Sequence, residues 1–396
     1  MSSPKVLTIN DLPNEILLVI FDFAATPPPP NSATRNFRRV VSLTHVSRRW
    51  MVTLLGDGQS WSNVHIYGQD IDMLDTQIRR CQQASLRVWV EVPFWSTLKS
   101  THFSQSKKNI EKAANLVRKR RGQVVRLQVR MSCRFFHKLL GNEWPNLKKL
   151  VFVDDCSLGS NLHGVVDGGS LPTLKFLSID GGYGWPVNIA TRLTTLRLQG
   201  PTNLDLTTFA KFLRRNSSLE SLELTGLIIG GSQSYHRGET PIKLPHLNEL
   251  LVRNATLGCA LDLLNLPSLQ RLNVSSCARQ NPWSDSHWSR LCSQLPITSL
   301  EAHYRSSLHQ EITVSGSGES GAHSFRFTEF SPTTLGPALF KSLSTTPLSF
   351  VTSFTLVKGG AHEPLSERFG PCSIATVERP LGVVPGAEGI GGHGNC

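Results

Sequence analysis

The chain has 396 residues, a formal net charge of +12 and a hydrophobic content of 39%. This length exceeds one compact core and indicates two or three folded units or an array of repeats. The hydrophobic content excludes disorder along the whole chain. No run of about 18 or more apolar residues occurs, so we expect no membrane span. Polar residues and a proline interrupt the first apolar stretch, which argues against a secretory signal.

Cysteine spacing predicts neither a metal site nor a disulfide framework. The eight cysteines form no C-x-x-C pair and none has zinc-finger spacing to a histidine, so we expect reduced, mostly buried thiols and no cofactor. Cys81, beside Arg79 and Arg80, is the one candidate for an activated thiolate. No phosphate-binding loop or nucleophile elbow is present, and Ser315-Gly316-Ser317-Gly318 predicts a linker. We therefore expect a protein that is not an enzyme.

A short apolar helix is predicted near the N-terminus. Asp11 can cap this helix, Pro13 fits its first turn, and Glu15 meets the positive end of its dipole. Apolar residues at helical spacing form a stripe that must be buried: Leu12, Ile16, Leu17, Ile20 and Phe21. Val19 and Phe23 flank this stripe. A helix that is apolar on more than one side indicates a second partner.

Two further elements follow this helix within the first 66 residues. Four prolines at positions 27 to 30 cannot lie in a helix and predict an exposed loop. A second helical pattern then runs from about Val40 to Trp50, with Arg48 and Arg49 outside. Alternation at Val64 and Ile66 predicts a strand.

The order of these elements resembles the F-box family. The opening L-P-x-E-I-x-x-x-I-F pattern is met by Leu12, Pro13, Glu15, Ile16, Ile20 and Phe21, and the V-[CS]-R-R-W pattern by residues 46–50. A closing S-W is met by Ser60 and Trp61. The resemblance covers residues 7–66, and its ending is similar to that of F-box-like proteins of mushroom-forming fungi. The proline-containing loop is longer than is usual in the family.

The resemblance implies a partner and an interface. F-box domains bind the Skp adaptor, and through it a cullin–RING ubiquitin ligase, so the chain is expected in the cytoplasm, the nucleus or both. Large apolar and aromatic anchors usually dominate such interfaces. Transferred by motif position, the adaptor-binding residues are Leu12, Pro13, Ile16, Ile20, Val46 and Trp50.

A basic tetrad, Arg118-Lys119-Arg120-Arg121, carries much of the positive charge. It is consistent with a nuclear address or a phosphate-binding patch. It is also consistent with a solvated helix end, because Ile110, Ala113, Ala114 and Val117 precede it at helical spacing and cations favour a helix C-terminus. We favour the helix end and expect no nucleic-acid partner, because no aromatic residues interleave with the cations.

The middle of the chain repeats an L-x-x-L-x-[LIV] phrase. A half-copy of the phrase ends at Val129, and full copies then recur at intervals of 19 to 28 residues. The second leucine of each copy is Leu150, Leu177, Leu196, Leu222, Leu250, Leu272 and, in a weaker copy, Leu300. This spacing is typical of leucine-rich repeats, whose strands bury their leucines jointly in a solenoid. Helical fillers lie between the phrases, most clearly Leu206, Phe209, Ala210 and Leu213 after a capping Asp205. An ordinary α/β domain with leucine-rich strands is the alternative.

The predicted fold class is therefore α/β: a small helical F-box, an irregular leucine-rich-repeat solenoid with a parallel sheet, and a flexible C-terminal tail. The F-box is expected over 7–66 and a linker over 67–121, in which residues 84–92 form a first, capping strand. The solenoid is expected over 122–304 and degenerate terminal repeats over 305–357. A glycine- and proline-rich disordered tail is expected over 358–396. Phe325 with Phe327, and Phe354 with Leu356, indicate two strands in the terminal repeats.

An F-box followed by leucine-rich repeats implies a ligase subunit whose repeats select the protein to be ubiquitinated. Residues between the leucines alternate to the opposite, concave face of the sheet, where such solenoids bind. The candidate substrate-binding residues are Arg197, Glu223, Arg253, Asn273 and Glu301. The recurring arginines suit an acidic or phosphorylated protein segment. A protein-interaction scaffold without a cullin, or a nucleic-acid-associated factor that uses the basic segment, remain the alternatives.

Overall fold

The structure is a computed structural model of the chain. The chain divides into two compact units: Met1–Leu269 with Gln280–Trp283 (unit 1), and Gln270–Arg279 with Ser284–Cys396 (unit 2). The residues that it describes are 8–25, 33–66, 71–91, 101–130, 143–153, 171–181, 192–200, 203–230, 241–253, 263–276, 299–305, 311–317, 324–330, 353–359 and 375–378.

Unit 1 begins with three helices: α1 (Asn14–Ala25), α2 (Ala33–Thr44) and α3 (Arg48–Gly56). The prediction that Asp11 caps α1 is wrong. Asp11 ends a short 3-10 helix, where its carboxylate accepts hydrogen bonds from the backbone N–H and the hydroxyl of Thr8, both 2.8 Å. Helix α1 starts after Pro13. Proline lacks a backbone N–H, but no hydrogen bond is lost, because the N–H groups at the start of a helix have no carbonyl partner within it. The proline run lies outside the described residues.

Aromatic side chains hold this helical segment together. Phe21 of α1 packs on Trp50 of α3 with a ring-centroid distance of 4.7 Å. Trp61 is fully buried, contacts Phe37 of α2, and donates its indole N–H to the carbonyl of Leu54 at 2.8 Å. The closing tryptophan of the motif is therefore a core residue.

The helices lead directly into the sheet. Strand β1 (Asn63–Ile66) lies beside β2 (Leu86–Glu91), so the prediction that residues 84–92 form the first strand is wrong. Between them runs α4 (Ile71–Arg80), which is fixed to β1 because the amide of Gln77 donates to the carbonyl of Asn63 at 2.8 Å. Helix α5 (Thr101–Lys119) then precedes β3 (Val124–Arg130), and the basic tetrad begins in the last turn of α5, as predicted.

The leucine phrases form a parallel ladder in unit 1. The sheet order is β1-β2-β3-β4-β5-β6-β8-β11, and every pair within it is parallel. The later strands are β4 (Lys149–Val153), β5 (Phe176–Asp180), β6 (Thr195–Gln199), β8 (Ser221–Thr225) and β11 (Glu249–Arg253). The second leucines of the phrases are cross-strand partners and are almost fully buried, as predicted: Leu150, Leu177, Leu196, Leu222 and Leu250.

Smaller elements complete the turns between these strands. Two two-stranded parallel sheets pair β7 (Asn203–Asp205) with β9 (Ile228–Gly230), and β10 (Ile242–Lys243) with β12 (Leu264–Asn265). Helix α6 (Leu206–Arg215) buries the predicted apolar face, and the Asp205 carboxylate accepts from the backbone N–H of Thr208 at 2.9 Å. The predicted cap of this helix is confirmed.

Glycines stack where consecutive strands end. The N–H of Gly200, after β6, donates to the carbonyl of Thr225 at 2.9 Å, and the N–H of Gly226, after β8, donates to the carbonyl of Arg253 at 2.8 Å. Gly200 has a φ of 117°, and a Cβ there would lie 3.0 Å from the backbone of Gly181. Only glycine fits this position without strain.

Unit 2 is a mixed sheet in the order β13-β16-β15-β14-β17-β18. Its strands are β13 (Arg271–Ser276), β14 (Ser299–Arg305), β15 (Glu311–Ser317), β16 (Ser324–Phe330), β17 (Ser353–Gly359) and β18 (Ala375–Glu378). The two strands predicted from phenylalanine alternation are β16 and β17. The weak seventh phrase does not continue the ladder, because its strand β14 does not lie beside β13: it pairs antiparallel with β15 on one side and parallel with β17 on the other. Ser315, Gly316 and Ser317 lie in β15, so the predicted linker is wrong there.

Strand β18 falls within 358–396, and most of that predicted tail lies outside the described residues. No described helix has both the length and the apolar character needed to cross a bilayer.

Candidate functional site

The helical segment presents an exposed apolar patch. Among the described residues of the segment, eight large apolar side chains are at least a third exposed, and we call them the apolar patch: Ile9, Ile16, Val19, Phe23, Val46, Met51, Val52 and Leu55. Phe23 is 80% exposed and Val52 61%. Exposed apolar residues that cluster on the surface of a folded protein mark an interaction site.

Helix α1 divides its apolar residues between two sides. Leu17 and Phe21 are buried against the other helices, whereas Ile16, Val19 and Phe23 are exposed. The helix is therefore apolar on more than one side, as the sequence predicted. The exposed side has no counterpart within the described residues of the chain.

Polar contacts fix α3 against the start of α1. The guanidinium of Arg49 donates to the carbonyl of Leu12 at 2.5 Å and to the side-chain oxygen of Asn14 at 2.9 Å. Thr53, one turn later, donates to the same Asn14 oxygen at 3.5 Å. The second arginine of the V-S-R-R-W motif thus holds together the two helices that carry most of the apolar patch.

The six residues predicted to bind the adaptor divide into exposed and covered groups. Pro13, Ile16 and Val46 are exposed, and Leu12 and Ile20 are half-buried. Trp50 is only 7% exposed and packs on Phe21, so it supports the patch from beneath and does not contribute to its surface. Met51, Val52 and Leu55, on the next turns of α3, take the exposed positions, and the motif did not identify them.

A second surface lies on the sheet of unit 1. We call the side of this sheet opposite the buried leucines the open face, and its residues are half-buried or exposed. Three neighbouring strands carry cations at one register position, Arg87, Arg126 and Lys149, which we call the basic row. Neighbouring strands are about 5 Å apart, so these backbones are close.

Aromatic rings lie among these cations. The guanidinium of Arg126 lies 5.3 Å from the ring centroid of Trp89, and the ammonium of Lys149 lies 3.9 Å from that of Phe176. Arg197, from β6, also contacts the Phe176 ring at 5.5 Å. Cation–π contacts of this kind orient the charged groups.

The cations of the basic row are close enough to disturb one another's ionisation. Burial, and then the charge of Arg87, lower the pKa of Arg126. Burial lowers the pKa of Lys149, and the charges of Arg126 and Arg197 lower it further. Among the residues that the structure describes, no carboxylate forms an ion pair with Arg87, Arg126 or Lys149.

Two of the predicted substrate-binding residues are brought into contact. Arg197 and Glu223 are cross-strand partners and form an ion pair, with Nε and Oε2 3.1 Å apart. Arg253 is exposed at the end of β11, opposite Thr225. Asn273 lies in β13 and Glu301 in β14, both in unit 2. Arg197 is therefore partly neutralised by the chain itself.

The basic row was not predicted from the sequence, although the sequence contains a signal for it. The predicted binding residues all follow the second leucine of a phrase. The residue directly before that leucine alternates to the same face. That position holds Arg126, Lys149 and Phe176 in three successive copies.

Cys81 does not have the environment of a nucleophile. Its thiol is fully buried and donates to the carbonyl of Trp61 at 2.9 Å. Burial raises the pKa of Cys81 to about 12, against the smaller opposing effect of Arg120. The described residues contain no group of three or more acidic, histidine or cysteine side chains placed to hold a metal ion.

Comparison with known proteins gives no further assignment: no family model, no curated protein and no solved structure matches the chain.

Proposed function

We propose that the chain is the substrate-recruiting subunit of a Skp–cullin–F-box ubiquitin ligase, in which the helical segment binds the Skp adaptor and the sheet binds the protein to be modified. The observation that carries this proposal is the apolar patch on the segment that resembles an F-box.

The position and chemistry of the patch suit a protein partner. Fully burying one large aliphatic or aromatic side chain contributes about 1.5–3 kcal/mol. Phe23, Val46 and Val52 are each more than half exposed, so most of this contribution is unused within the chain. A partner that buried these side chains in a complementary apolar groove would gain this free energy on binding. Large apolar and aromatic anchors of this type dominate the binding energy of protein interfaces.

The link between the patch and the sheet supports a recruiting role. Trp61 lies under the three helices, and β1 begins two residues later as the first strand of the sheet. Because α4 and Trp61 also contact one another through Gln77 and Arg80, the helical segment and the sheet share one core. A substrate bound on the sheet would therefore be held in a fixed position relative to the adaptor.

The test is copurification of the full chain with the Skp adaptor. Ile16→Asp and Phe23→Asp each place a carboxylate in the patch, at residues 47% and 80% exposed. Burying that carboxylate in an interface is strongly unfavourable. We expect each variant to lose at least about 2 kcal/mol of binding free energy, roughly 30-fold in affinity.

The control is Asn115→Asp, which adds the same charge to an exposed position on α5 beside Arg118. All three variants should fold, as checked by circular dichroism and thermal denaturation, because each changed residue is exposed. If the two patch variants retain the adaptor as the parent and the control do, the proposed interface is wrong. If the parent itself retains no adaptor, the proposed function is wrong.

A further inference from the structure

The basic row carries an energetic cost that the fold does not require. Arg87 and Arg126 are direct cross-strand partners, and so are Arg126 and Lys149. Like charges placed directly opposite one another destabilise a sheet. Positions that break such a local rule are characteristic of functional sites.

The cations are also restrained from moving apart. Arg126 and Lys149 are half-buried, and each lies over an aromatic ring, of Trp89 and Phe176 respectively. A free lysine on a flat sheet would extend into solvent to reduce repulsion. Here the rings and the partial burial keep the positive charge concentrated over three adjacent strands.

Carboxylates limit the extent of this positive region. Glu91, on the same strand as Arg87, lies 3.7 Å from His65 and 3.9 Å from Arg130. Glu223, two strands beyond Phe176, pairs with Arg197. The unpaired positive charge is therefore a short strip that crosses β2, β3 and β4, with Glu91 to one side of it along β2 and Glu223 beyond it on β8.

The strip suits one class of ligand best. Three cations spread over neighbouring strands match several carboxylates along an extended peptide better than a single phosphoryl group, which is smaller than the strip. A nucleic acid strand that followed the row would extend past β4 toward β8, where its phosphates would approach the carboxylate of Glu223. The rings of Trp89 and Phe176 are already in contact with cations, which reduces their use for base stacking.

We propose that the basic row, with Phe176 beside it, binds a run of aspartate and glutamate side chains in a protein partner. This inference deepens the proposed function: it names the substrate class of the recruiting face, and its biological meaning rests on that function. The binding itself is independent of the adaptor and can be measured without it.

The experiment measures binding of a fluorescent peptide that carries consecutive Asp and Glu residues to the full chain, by fluorescence anisotropy. A peptide with Asn and Gln at the same positions tests the need for charge. We expect the triple variant Arg87→Gln/Arg126→Gln/Lys149→Gln to bind the acidic peptide about tenfold more weakly than the parent. Raising the salt concentration from roughly 0.1 M to roughly 0.5 M should weaken the parent's binding, because the strip is partly exposed to solvent.

Two further variants separate binding from folding. Lys112→Gln/Lys211→Gln/Lys243→Gln removes the same charge from exposed positions outside the open face and should bind as the parent does. Lys149→Glu places a carboxylate directly opposite Arg126, which should leave the melting temperature unchanged or raise it while abolishing peptide binding. Loss of binding in a variant that is at least as stable as the parent cannot be attributed to unfolding.

Equal binding of the acidic peptide by the parent and by Lys149→Glu would overturn the inference. So would tighter binding of a singly phosphorylated neutral peptide, or of single-stranded RNA, than of the acidic run. If the acidic peptide binds as expected but the Skp adaptor does not copurify, the inference stands and the proposed function fails. If the adaptor copurifies with the parent and with Lys149→Glu, but neither binds the peptide, the proposed function stands and the inference fails.

Discussion

The parallel ladder makes a quantitative prediction for its central leucine. Leu222 in β8 is fully buried and lies between its register partners Leu196 and Leu250. Leu222→Ala removes three carbon atoms, worth about 2.4 kcal/mol at roughly 0.8 kcal/mol each. The cavity that remains adds to this loss, because neighbours on both sides are held in a sheet and cannot close it. We expect the free energy of unfolding of unit 1 to fall by about 3 kcal/mol.

Leu251→Ala provides the matched control. Leu251 is on the neighbouring strand β11 at the register position opposite Glu223, on the open face, and is half-buried. Solvent fills the space that its side chain leaves, so no cavity forms. We expect a loss below about 1.5 kcal/mol.

The assay is urea denaturation of the full chain followed by tryptophan fluorescence, since Trp50, Trp61 and Trp144 are buried in unit 1. The dependence of the unfolding free energy on urea should be the same for both variants. If the repeats are equivalent, Leu177→Ala, Leu196→Ala and Leu250→Ala should lose the same free energy as Leu222→Ala to within about 1 kcal/mol. A Leu222→Ala variant no less stable than Leu251→Ala would refute the idea that the leucines form one continuous core.

Three further predictions concern single side chains. Ser47→Ala should lower stability by about 1 kcal/mol in the same assay, because the Ser47 hydroxyl accepts the N–H of Trp50 at 3.2 Å and caps α3; an unchanged midpoint would show that the cap is unimportant. Burial lowers the pKa of His65 to about 4, so the unfolded chain binds the proton more tightly. Stability should therefore fall as the pH drops from about 6.5 to about 4, and His65→Gln should flatten thermal denaturation profiles over that range. Because burial raises the pKa of Cys81 to about 12, iodoacetamide should leave this thiol unmodified at neutral pH until urea unfolds the chain. Mass spectrometry detects the modification, and labelling of Cys81 in the native protein would contradict its buried position.

Local patterns determined much of the fold. Leucines at a repeating spacing specify both the strands and the buried face, because a side-chain period of two fixes which residues share a side. The apolar face of α6, the cap at Asp205 and the basic end of α5 also depend on residues close in sequence. These features could be predicted because no distant contact decides them.

Other features depended on contacts between distant parts of the chain. Ile16 and Trp50 were both predicted to contact the adaptor, yet only packing against Phe21 decides that Trp50 is covered while Ile16 is exposed. The weak seventh phrase has a leucine at the expected position, but its strand β14 lies between β15 and β17 and not beside β13, because backbone hydrogen bonds form with whichever strand is adjacent.

The basic row shows the same division most clearly. The sequence places a cation on each of three strands and fixes the side to which each points. Arg87 and Lys149 are far apart in the chain, and only the parallel register places them on either side of Arg126. Charge repulsion depends on distance in space, so the concentration of positive charge on the open face is decided by the tertiary structure.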